Sequence, residues 1–362
     1  MDGAGGWRCC SRCLLGVGCR DRAPHARLHE PRPQVDVSEL PDLDDCLAAA
    51  RTLEGRIHRT PMFSSRSLRE IVGRECHLKA ELFQRTGSYK LRGAINRVAA
   101  LSAQERAGGA VTVSAGNQAQ AAALACAEAR VDLVVFMWRT ASAVKVAATR
   151  AYGATVDLEA EDGAEAFARM HAFAAETGRV VLHPYDDPRV IAGAATVGLE
   201  ICADVPSPGA VIVPAGGGGV LAGVALAVGA LAPGARIVAV QPQSAATLLA
   251  SRPPQPLTPA GPRAAGWKTI ADALTAPAIG ERNLRICAEH VDEVVHVSEE
   301  EIAAGMRFLY ARAKLACEAG AAAGVGALLA GKVSDLGSGP VVAVVTGGNI
   351  TPAAAAEVLA GG

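Results

Sequence analysis

The chain has 362 residues, half of them apolar, and a formal net charge of −1. This length allows one large or two medium-sized domains with extensive cores, and the near-neutral charge excludes an electrostatic footprint for nucleic acid or an anionic membrane. No apolar run reaches the roughly 20 residues of a membrane-spanning helix. Beyond residue 20 the cysteines are scattered singly, which is typical of a reduced, cytoplasmic protein.

Residues 1–35 are rich in Gly, Arg, Cys and Pro without periodicity, which predicts a disordered N-terminal extension. Within it, Cys10 and Cys13 followed by His25 and His29 come close to the ligand spacing of a zinc finger. The residues between them lack the aromatic and leucine core that a finger needs, so we predict no metal site.

From residue 36 onward, β-type and helical segments alternate. The pattern predicts helices over 42–56 and 88–101, and strands at 76–82, 110–113, 133–137, 154–158, 179–182, 210–213, 236–240, 293–297 and 341–345. Further helices are predicted to begin near residues 117, 142, 163, 188, 220, 298 and 351. Strands that alternate with helices form parallel sheets covered on both faces, so the expected fold class is α/β.

Ligands in open α/β sheets bind where strands end and helices begin, and four such junctions stand out. The first consists of four consecutive glycines at 216–219, between a strand and a helix. Glycines let the backbone approach a ligand without Cβ clashes, and the N–H groups of such a turn favour a phosphate. No Lys-Ser/Thr pair follows, so this is not a Walker motif. We therefore predict a phosphate site here rather than a merely flexible turn.

The second junction, Ser-Ala-Gly-Asn-Gln at 114–118, presents hydroxyl, amide and backbone donors at a helix start and suits an anion such as a carboxylate. The third, Thr-Gly-Gly-Asn at 346–349, follows the last predicted strand. Either of these segments, if it stood alone, would be interpreted as an ordinary helix cap or turn.

The fourth junction is the Thr-Gly-Ser turn at 86–88, which opens the helix that carries Lys90. Lysine is scarce, at six of the 35 basic residues. A lysine near a helix N-terminus is unfavourable for the helix, but this position lowers an amine pKa, as a nucleophile requires. By position alone, Lys90 could equally be a solvated surface lysine.

Together these junctions resemble fold-type II pyridoxal-phosphate enzymes, specifically the serine/threonine dehydratase (threonine ammonia-lyase) group. The resemblance covers about residues 50–355 and rests on six motifs in the family's order, at 81–94, 114–117, 183–193, 216–219, 269–272 and 345–350. It implies two open, twisted parallel-sheet domains with helices on both faces. A small domain at 109–186 would be inserted into a large cofactor-binding domain formed by 36–108 and 187–362. The resemblance also implies a homodimer or homotetramer that acts on a small amino-acid substrate.

The resemblance implies a role for each junction. Lys90 would bind pyridoxal 5'-phosphate as a Schiff base and later move the Cα proton of the substrate. Asn117 would hydrogen-bond the ring hydroxyl of the cofactor, and Thr346 would face its pyridine nitrogen. The cofactor phosphate would lie against Gly216, Gly217, Gly218 and Gly219. The substrate carboxylate would be held by Ser114, Ala115, Gly116 and Gln118.

The expected reaction is the conversion of L-threonine, L-serine or a related β-hydroxy amino acid to a 2-oxo acid and ammonia. A hydroxyl at Thr346 does not force the pyridine nitrogen to stay protonated, which suits elimination better than transamination.

One alternative is a serine-racemase-like enzyme, which needs a second acid/base on the face opposite Lys90. Ala115 stands where such racemases have a serine. The positions that would bind a divalent metal are Gln241, Ala245 and Thr247, a poor set for a hard cation.

A second alternative is a catalytically impaired homologue that binds the cofactor. Two departures from the family pattern permit it, since Gln118 replaces the usual histidine and the segment after Glu318 differs. Thr346, where serine is commoner, is a conservative change.

Overall fold

The structure is a computed structural model, and it describes residues 40–251, 255–260 and 268–361. The predicted N-terminal extension, with the zinc-finger-like spacing inside it, lies outside the described residues.

Ten strands are found in the described part of the chain. They are β1 (Met62–Ser64), β2 (Cys76–Ala80), β3 (Ala110–Val113), β4 (Leu133–Trp138), β5 (Thr155–Ala160), β6 (Val180–Val181), β7 (Ala210–Pro214), β8 (Arg236–Pro242), β9 (Glu293–Val297) and β10 (Val341–Val345).

The same residues form thirteen α-helices. They are α1 (Leu43–Leu53), α2 (Arg66–Val72), α3 (Lys90–Ala99), α4 (Ala103–Gly108), α5 (Asn117–Ala129), α6 (Ala143–Ala151), α7 (Gly163–Thr177), α8 (Pro188–Asp204), α9 (Gly219–Leu231), α10 (Glu281–His290), α11 (Glu299–Phe308), α12 (Ala319–Leu329) and α13 (Pro352–Ala360). Within the described ranges, none of them combines the length and apolar character that crossing a bilayer requires.

The strands that the structure describes form two sheets. The larger has the order β1-β2-β10-β7-β8-β9, and all neighbours are parallel except β1, which is antiparallel to β2. Ile212 of β7 packs in the layer that contains α11 and α12, whereas Val211 and Val213 pack in the layer that contains α8, α9 and α10. Successive side chains of a strand point to opposite faces, so this sheet is covered on both sides.

The smaller sheet has the order β5-β4-β3-β6 and is parallel throughout. Helices α5 and α6 cover one face, with α3 packed on α5, and α7 covers the other, where Phe136 and Met170 are buried. Two mostly parallel sheets with helices on both faces confirm the predicted α/β class.

Five described elements were absent from the sequence-based prediction, namely β1, α2, α4, α10 and α12. The last of these has a clear physical cause. Ten of the eleven residues of α12 are buried, and all eleven are Ala, Gly, Val or Leu. A helix that is apolar on every side has no amphipathic period from which it could be recognised.

Four charged side chains form a cluster where α3 packs on α8, and three of them are fully buried while Glu200 is partly buried. Arg92 donates to both carboxylate oxygens of Glu81, at 2.8 and 2.9 Å, and to Glu200 at 2.7 Å. Lys79 donates to the other oxygen of Glu200 at 2.5 Å. The cluster pairs two cations with two anions, which a buried position requires. It fixes the start of α3, two residues from Lys90.

Candidate active site

The structure brings the four predicted junctions together. The turn after β10 lies against the turn before α3, because Tyr89 N donates to the carbonyl of Thr346 at 3.1 Å and Gly348 N to that of Gly87 at 2.9 Å. Asn117, at the start of α5, reaches the same place through a 2.8 Å hydrogen bond from Asn349.

Lys90 is the first residue of α3 and is half-buried. Its Nζ donates to the carbonyl of Pro184 at 2.6 Å and lies 5.3 Å from the ring centroid of Tyr89 and 6.0 Å from that of Tyr185. Burial lowers the pKa of this amine to about 8, against the opposing effect of Glu318. The lowered pKa that we expected from the helix N-terminus is present, but its main cause is burial.

The segment after β6 joins Lys90 to the glycine turn. His183 Nδ1 accepts from the backbone N of Asp186 at 2.8 Å, and burial, helped by Lys90, lowers the pKa of His183 to about 4. The imidazole is therefore neutral near pH 7 and holds this segment in shape. The carbonyl of Pro184, the residue after His183, accepts the hydrogen bond from Lys90. The ring of the next residue, Tyr185, lies against Gly217.

The glycine turn at 216–219 has no room for side chains. A Cβ on Gly216 would lie 2.9 Å from the carbonyl oxygen of Leu274, one on Gly217 would lie 2.6 Å from the ring of Tyr185, and Gly218 has a φ of +93°. The turn ends at the N-terminus of α9, whose first N–H groups have no acceptor within the helix. Such a turn can place several N–H groups around one phosphate.

Two carbonyl groups of this turn accept hydrogen bonds from side chains of the segment after β8 and of α10. Thr247 Oγ1 donates to Gly216 O at 2.8 Å, and Asn283 Nδ2 donates to Gly217 O at 2.8 Å. Gln241 Nε2 donates to Thr247 Oγ1 at 2.7 Å. Gln241 and Thr247, two of the three positions considered above for a divalent metal, therefore support the glycine turn through neutral hydrogen bonds. The third, Ala245, is buried and has no metal-binding group.

The second junction forms a tight turn, in which Ser114 Oγ accepts from Gly116 N at 3.0 Å. Ala115 lies in the same turn, and Gln118 is buried on the first turn of α5. Lys145 of α6 lies beside it, with Nζ 3.9 Å from where a Cβ on Gly116 would be. We did not predict Lys145 as a site residue, although the scarcity of lysine was a signal that could have drawn attention to it.

Lys145 also forms a 2.7 Å ion pair with Asp272, the last residue of the 269–272 motif. Because α6 packs beside the smaller sheet and Asp272 belongs to the part of the chain around the larger one, this pair connects the two sides of the site.

Glu318 and Asn349 are two further side chains that the sequence analysis left without a role. Glu318 is buried and accepts from Asn117 Nδ2 at 2.7 Å. Burial, helped by Asp272, raises the pKa of Glu318 to about 7. Thr346 is buried at the end of β10.

Several buried polar atoms at these junctions have no hydrogen-bond partner among the described residues, including Ser88 Oγ, Gln118 Oε1 and Asn283 Oδ1. Unpaired buried polar atoms are costly and often mark the place of a ligand. A glycine turn shaped for phosphate, a half-buried amine and nearby polar atoms fit a phosphorylated aldehyde cofactor such as pyridoxal phosphate.

Relatives of this chain include enzymes that act on β-hydroxy amino acids. An L-threonine ammonia-lyase from Thermotoga maritima is 39% identical over 308 residues, which cover 85% of this chain and 75% of that protein. A phenylserine dehydratase from Ralstonia pickettii is 37% identical over 322 residues, covering 89% of this chain and 97% of that one.

Solved structures give the same picture of the fold. A serine racemase from maize has a TM-score of 0.79 at 31% identity, covering 86% of this chain and 95% of that one. A threonine deaminase from T.th. has a TM-score of 0.76 at 35% identity, covering 86% and 99%. Residues 53–347 match the family described as "Pyridoxal-phosphate dependent enzyme". The glycine turn and the half-buried amine agree with these matches, which show that the chain belongs to the family of pyridoxal-phosphate dependent enzymes.

Proposed function

We propose that this chain is a dehydratase/ammonia-lyase that converts L-threonine, L-serine or a related β-hydroxy amino acid to a 2-oxo acid and ammonia. The observation that carries the proposal is the pairing of one amine of lowered pKa, Lys90, with a turn that has alanine at position 115. Elimination needs one base at Cα, whereas racemisation needs a second acid/base on the opposite face. The relatives named above support the substrate class.

Each residue of the proposed site would have a separate role in binding the cofactor or in moving the Cα proton. When bound, pyridoxal phosphate withdraws electrons from Cα and so makes its proton acidic. Lys90 would hold the cofactor and take that proton. The N–H groups at Gly216, Gly217, Gly218 and Gly219 would bind the phosphate, and Asn117 and Thr346 would contact the ring.

The substrate carboxylate would lie against the turn formed by Ser114, Ala115 and Gly116, with Gln118 behind it. The serine hydroxyl and the N–H groups at the start of α5 can donate to a carboxylate there. Lys145 would add a positive charge beside that position. These contacts would hold Cα within reach of Lys90, which is the contribution of orientation to the rate.

We also propose that residues 109–186 form a small domain inserted into a large domain, 36–108 plus 187–362, with the site between them. The existence of a separate four-stranded sheet supports this division. The proposed assembly is a homodimer or homotetramer in the cytoplasm, which light scattering of the purified chain and fractionation of its host cells would test.

The function is tested by measuring 2-oxo acid and ammonia released from L-threonine, L-serine and phenylserine by the purified enzyme with its cofactor. We expect equal amounts of both products from at least one of these substrates. Release of neither product from any of them would contradict the proposal.

Chiral analysis of serine in the same reaction separates elimination from racemisation. Because Ala115 cannot transfer a proton, we expect pyruvate to form faster than D-serine. Faster formation of D-serine would replace the dehydratase with a racemase.

The pKa of Lys90 predicts how uptake of the cofactor depends on pH. Only the neutral amine attacks an aldehyde, and with a pKa of about 8 its neutral fraction rises as pH increases through that value. We therefore expect the rate constant for attachment of pyridoxal phosphate, followed by absorbance, to rise from about pH 7 and to level off above about pH 9. A rate still rising steeply above pH 10 would indicate a lysine of ordinary pKa.

Gly216→Ala tests the glycine turn. The added methyl group would meet the backbone of Leu274 at about 3 Å, and since backbone cannot move aside as a side chain can, the turn must shift. We expect affinity for pyridoxal phosphate to fall by about tenfold or more, measured by fluorescence titration. The matched control is Gly234→Ala, where nothing lies within 4 Å of the new Cβ. Equal affinities in the two variants would contradict the assigned phosphate site.

A further inference from the structure

The hydrogen bonds of Asn349 give this residue a function beyond packing. Its Nδ2 donates to two acceptors at once, the carbonyl oxygen of Thr86 and Oδ1 of Asn117, both at 2.8 Å. Thr86 lies four residues before Lys90 and Asn117 lies at the start of α5. One amide group therefore joins the turn that carries Lys90 to the helix that carries Asn117.

The orientation of the Asn349 amide is determined by chemistry. A backbone carbonyl can only accept hydrogen bonds, so the atom of Asn349 that faces Thr86 O must be the nitrogen. The other end of the amide, Oδ1, lies against Gly87, 2.5 Å from where a Cβ would be. Only glycine leaves that space, and its φ of +72° also favours glycine there.

The orientation of Asn117 follows from that of Asn349. Since Asn349 presents a donor, Asn117 must turn its Oδ1 toward it, which directs its Nδ2 to Glu318 at 2.7 Å. An amide nitrogen carries two N–H groups. One is used by Glu318, and among the described residues the second is left for an oxygen of a ligand.

Glu318 by itself could not impose this orientation. Burial raises its pKa to about 7, so near neutral pH the carboxyl group is present in both protonation states. An ionised carboxylate only accepts, whereas a protonated one can also donate, and would then pair with either end of the Asn117 amide. Asn349, held by Thr86, presents a donor in both cases.

We propose that Asn349 is a positioning residue that keeps the Asn117 amide nitrogen directed at the bound cofactor. The proposal deepens the proposed function and rests on it for the contact between Asn117 and the cofactor ring. Without Asn349, the Asn117 amide can rotate by half a turn and present its oxygen to the ring oxygen, which repels it.

The test is a double-mutant cycle in the full-length chain, with affinity for pyridoxal phosphate as the readout. Asn349→Asp keeps the shape of the side chain but cannot donate to Thr86 or Asn117. We expect this substitution to weaken cofactor binding by about tenfold, and we expect the same loss from Asn117→Ala. In the Asn117→Ala background we expect it to cost less than about twofold, because the contact it supports is already gone.

The absorbance spectrum of the bound cofactor provides a second readout that a merely structural role would not change. Asn349→Asp and Asn117→Ala should alter the visible band in the same way, since both remove a donor from the ring oxygen. If Asn349→Asp fails to fold, Asn349→Ala removes the same two hydrogen bonds without adding a charge and takes its place in the cycle.

The matched control is Asn96→Asp on α3. Asn96 is also buried, and its Nδ2 also donates to a backbone carbonyl, that of Arg189, at 2.8 Å. We expect that variant to keep cofactor affinity within about twofold and to keep the spectrum. An equal loss from Asn349→Asp with and without Asn117, or an equal loss from Asn96→Asp, would overturn the proposal. No amino-acid substrate is present in these titrations, so failure of this inference and failure of the dehydratase proposal are distinguishable.

Discussion

Lys90→Ala should lower the rate of 2-oxo acid formation by at least about a thousandfold. The amine has two tasks in the proposed reaction, to hold the cofactor aldehyde and to take the Cα proton, and alanine can perform neither. No second lysine occupies the same place in the described chain: Lys145 is paired with Asp272, and Lys79 is buried beside Glu200. The measurement is the steady-state rate with L-threonine or L-serine at saturating pyridoxal phosphate.

Reduction with borohydride, followed by peptide mapping, tests whether Lys90 is the residue that binds the cofactor covalently. In the native chain, the pyridoxyl group should be found on the peptide that contains Lys90, and in Lys90→Ala it should be absent from that peptide. Lys268→Ala, at an exposed position, is the control and should keep the native rate within about twofold. A pyridoxyl group found on another lysine of the native chain would refute the role assigned to Lys90.

Arg92→Ala should reduce the free energy of unfolding by about 3–5 kcal/mol. Arg92 is fully buried and is the only partner that contacts both Glu81 and Glu200 among the described residues. Its removal leaves two carboxylates with the single cation Lys79, and Glu81 is itself fully buried. A buried ion pair adds little to the free energy of unfolding, but a buried carboxylate left without a cation lowers it strongly. The expected loss of stability therefore comes from the unpaired carboxylate.

Urea denaturation of the full-length chain measures this loss. Arg66→Ala is the matched control, because Arg66 pairs with Glu70 one turn along α2, where both side chains are largely exposed. A solvent-exposed pair of this kind contributes less than about 1 kcal/mol. If the two variants lost similar stability, the buried cluster would have to be hydrated or relaxed in a way that its geometry does not indicate.

Much of the site could be predicted from short stretches of sequence. Three of the junctions can be recognised from five residues or fewer at the end of a β-type run, namely the glycines at 216–219 and the turns at 114–118 and 346–349. Each depends on local backbone chemistry, such as the absence of a Cβ or the presence of a capping hydroxyl. Lys90 was found in the same way, at the start of a helix.

The partners of these residues could not be predicted, because they come from distant parts of the chain. Thr86 and Asn349, for example, are 263 positions apart, and Asn117 and Asn349 are 232 positions apart. A single asparagine or glutamate carries no local pattern that says which neighbour it will meet. Helix α12 was missed for a related reason, since its burial on every side removes the alternation that periodicity requires.

The sequence alone therefore predicted the α/β class, which the structure confirms, and the four junctions that we propose contact a cofactor and substrate, because these depend on residue type and local order. Only the tertiary structure decided the pKa values and the hydrogen-bond directions of the groups at those junctions. Burial lowers the pKa of Lys90 to about 8 and raises that of Glu318 to about 7. Asn349 determines the orientation of Asn117. Desolvation and hydrogen-bond direction depend on what surrounds a group in space, which only the folded chain defines.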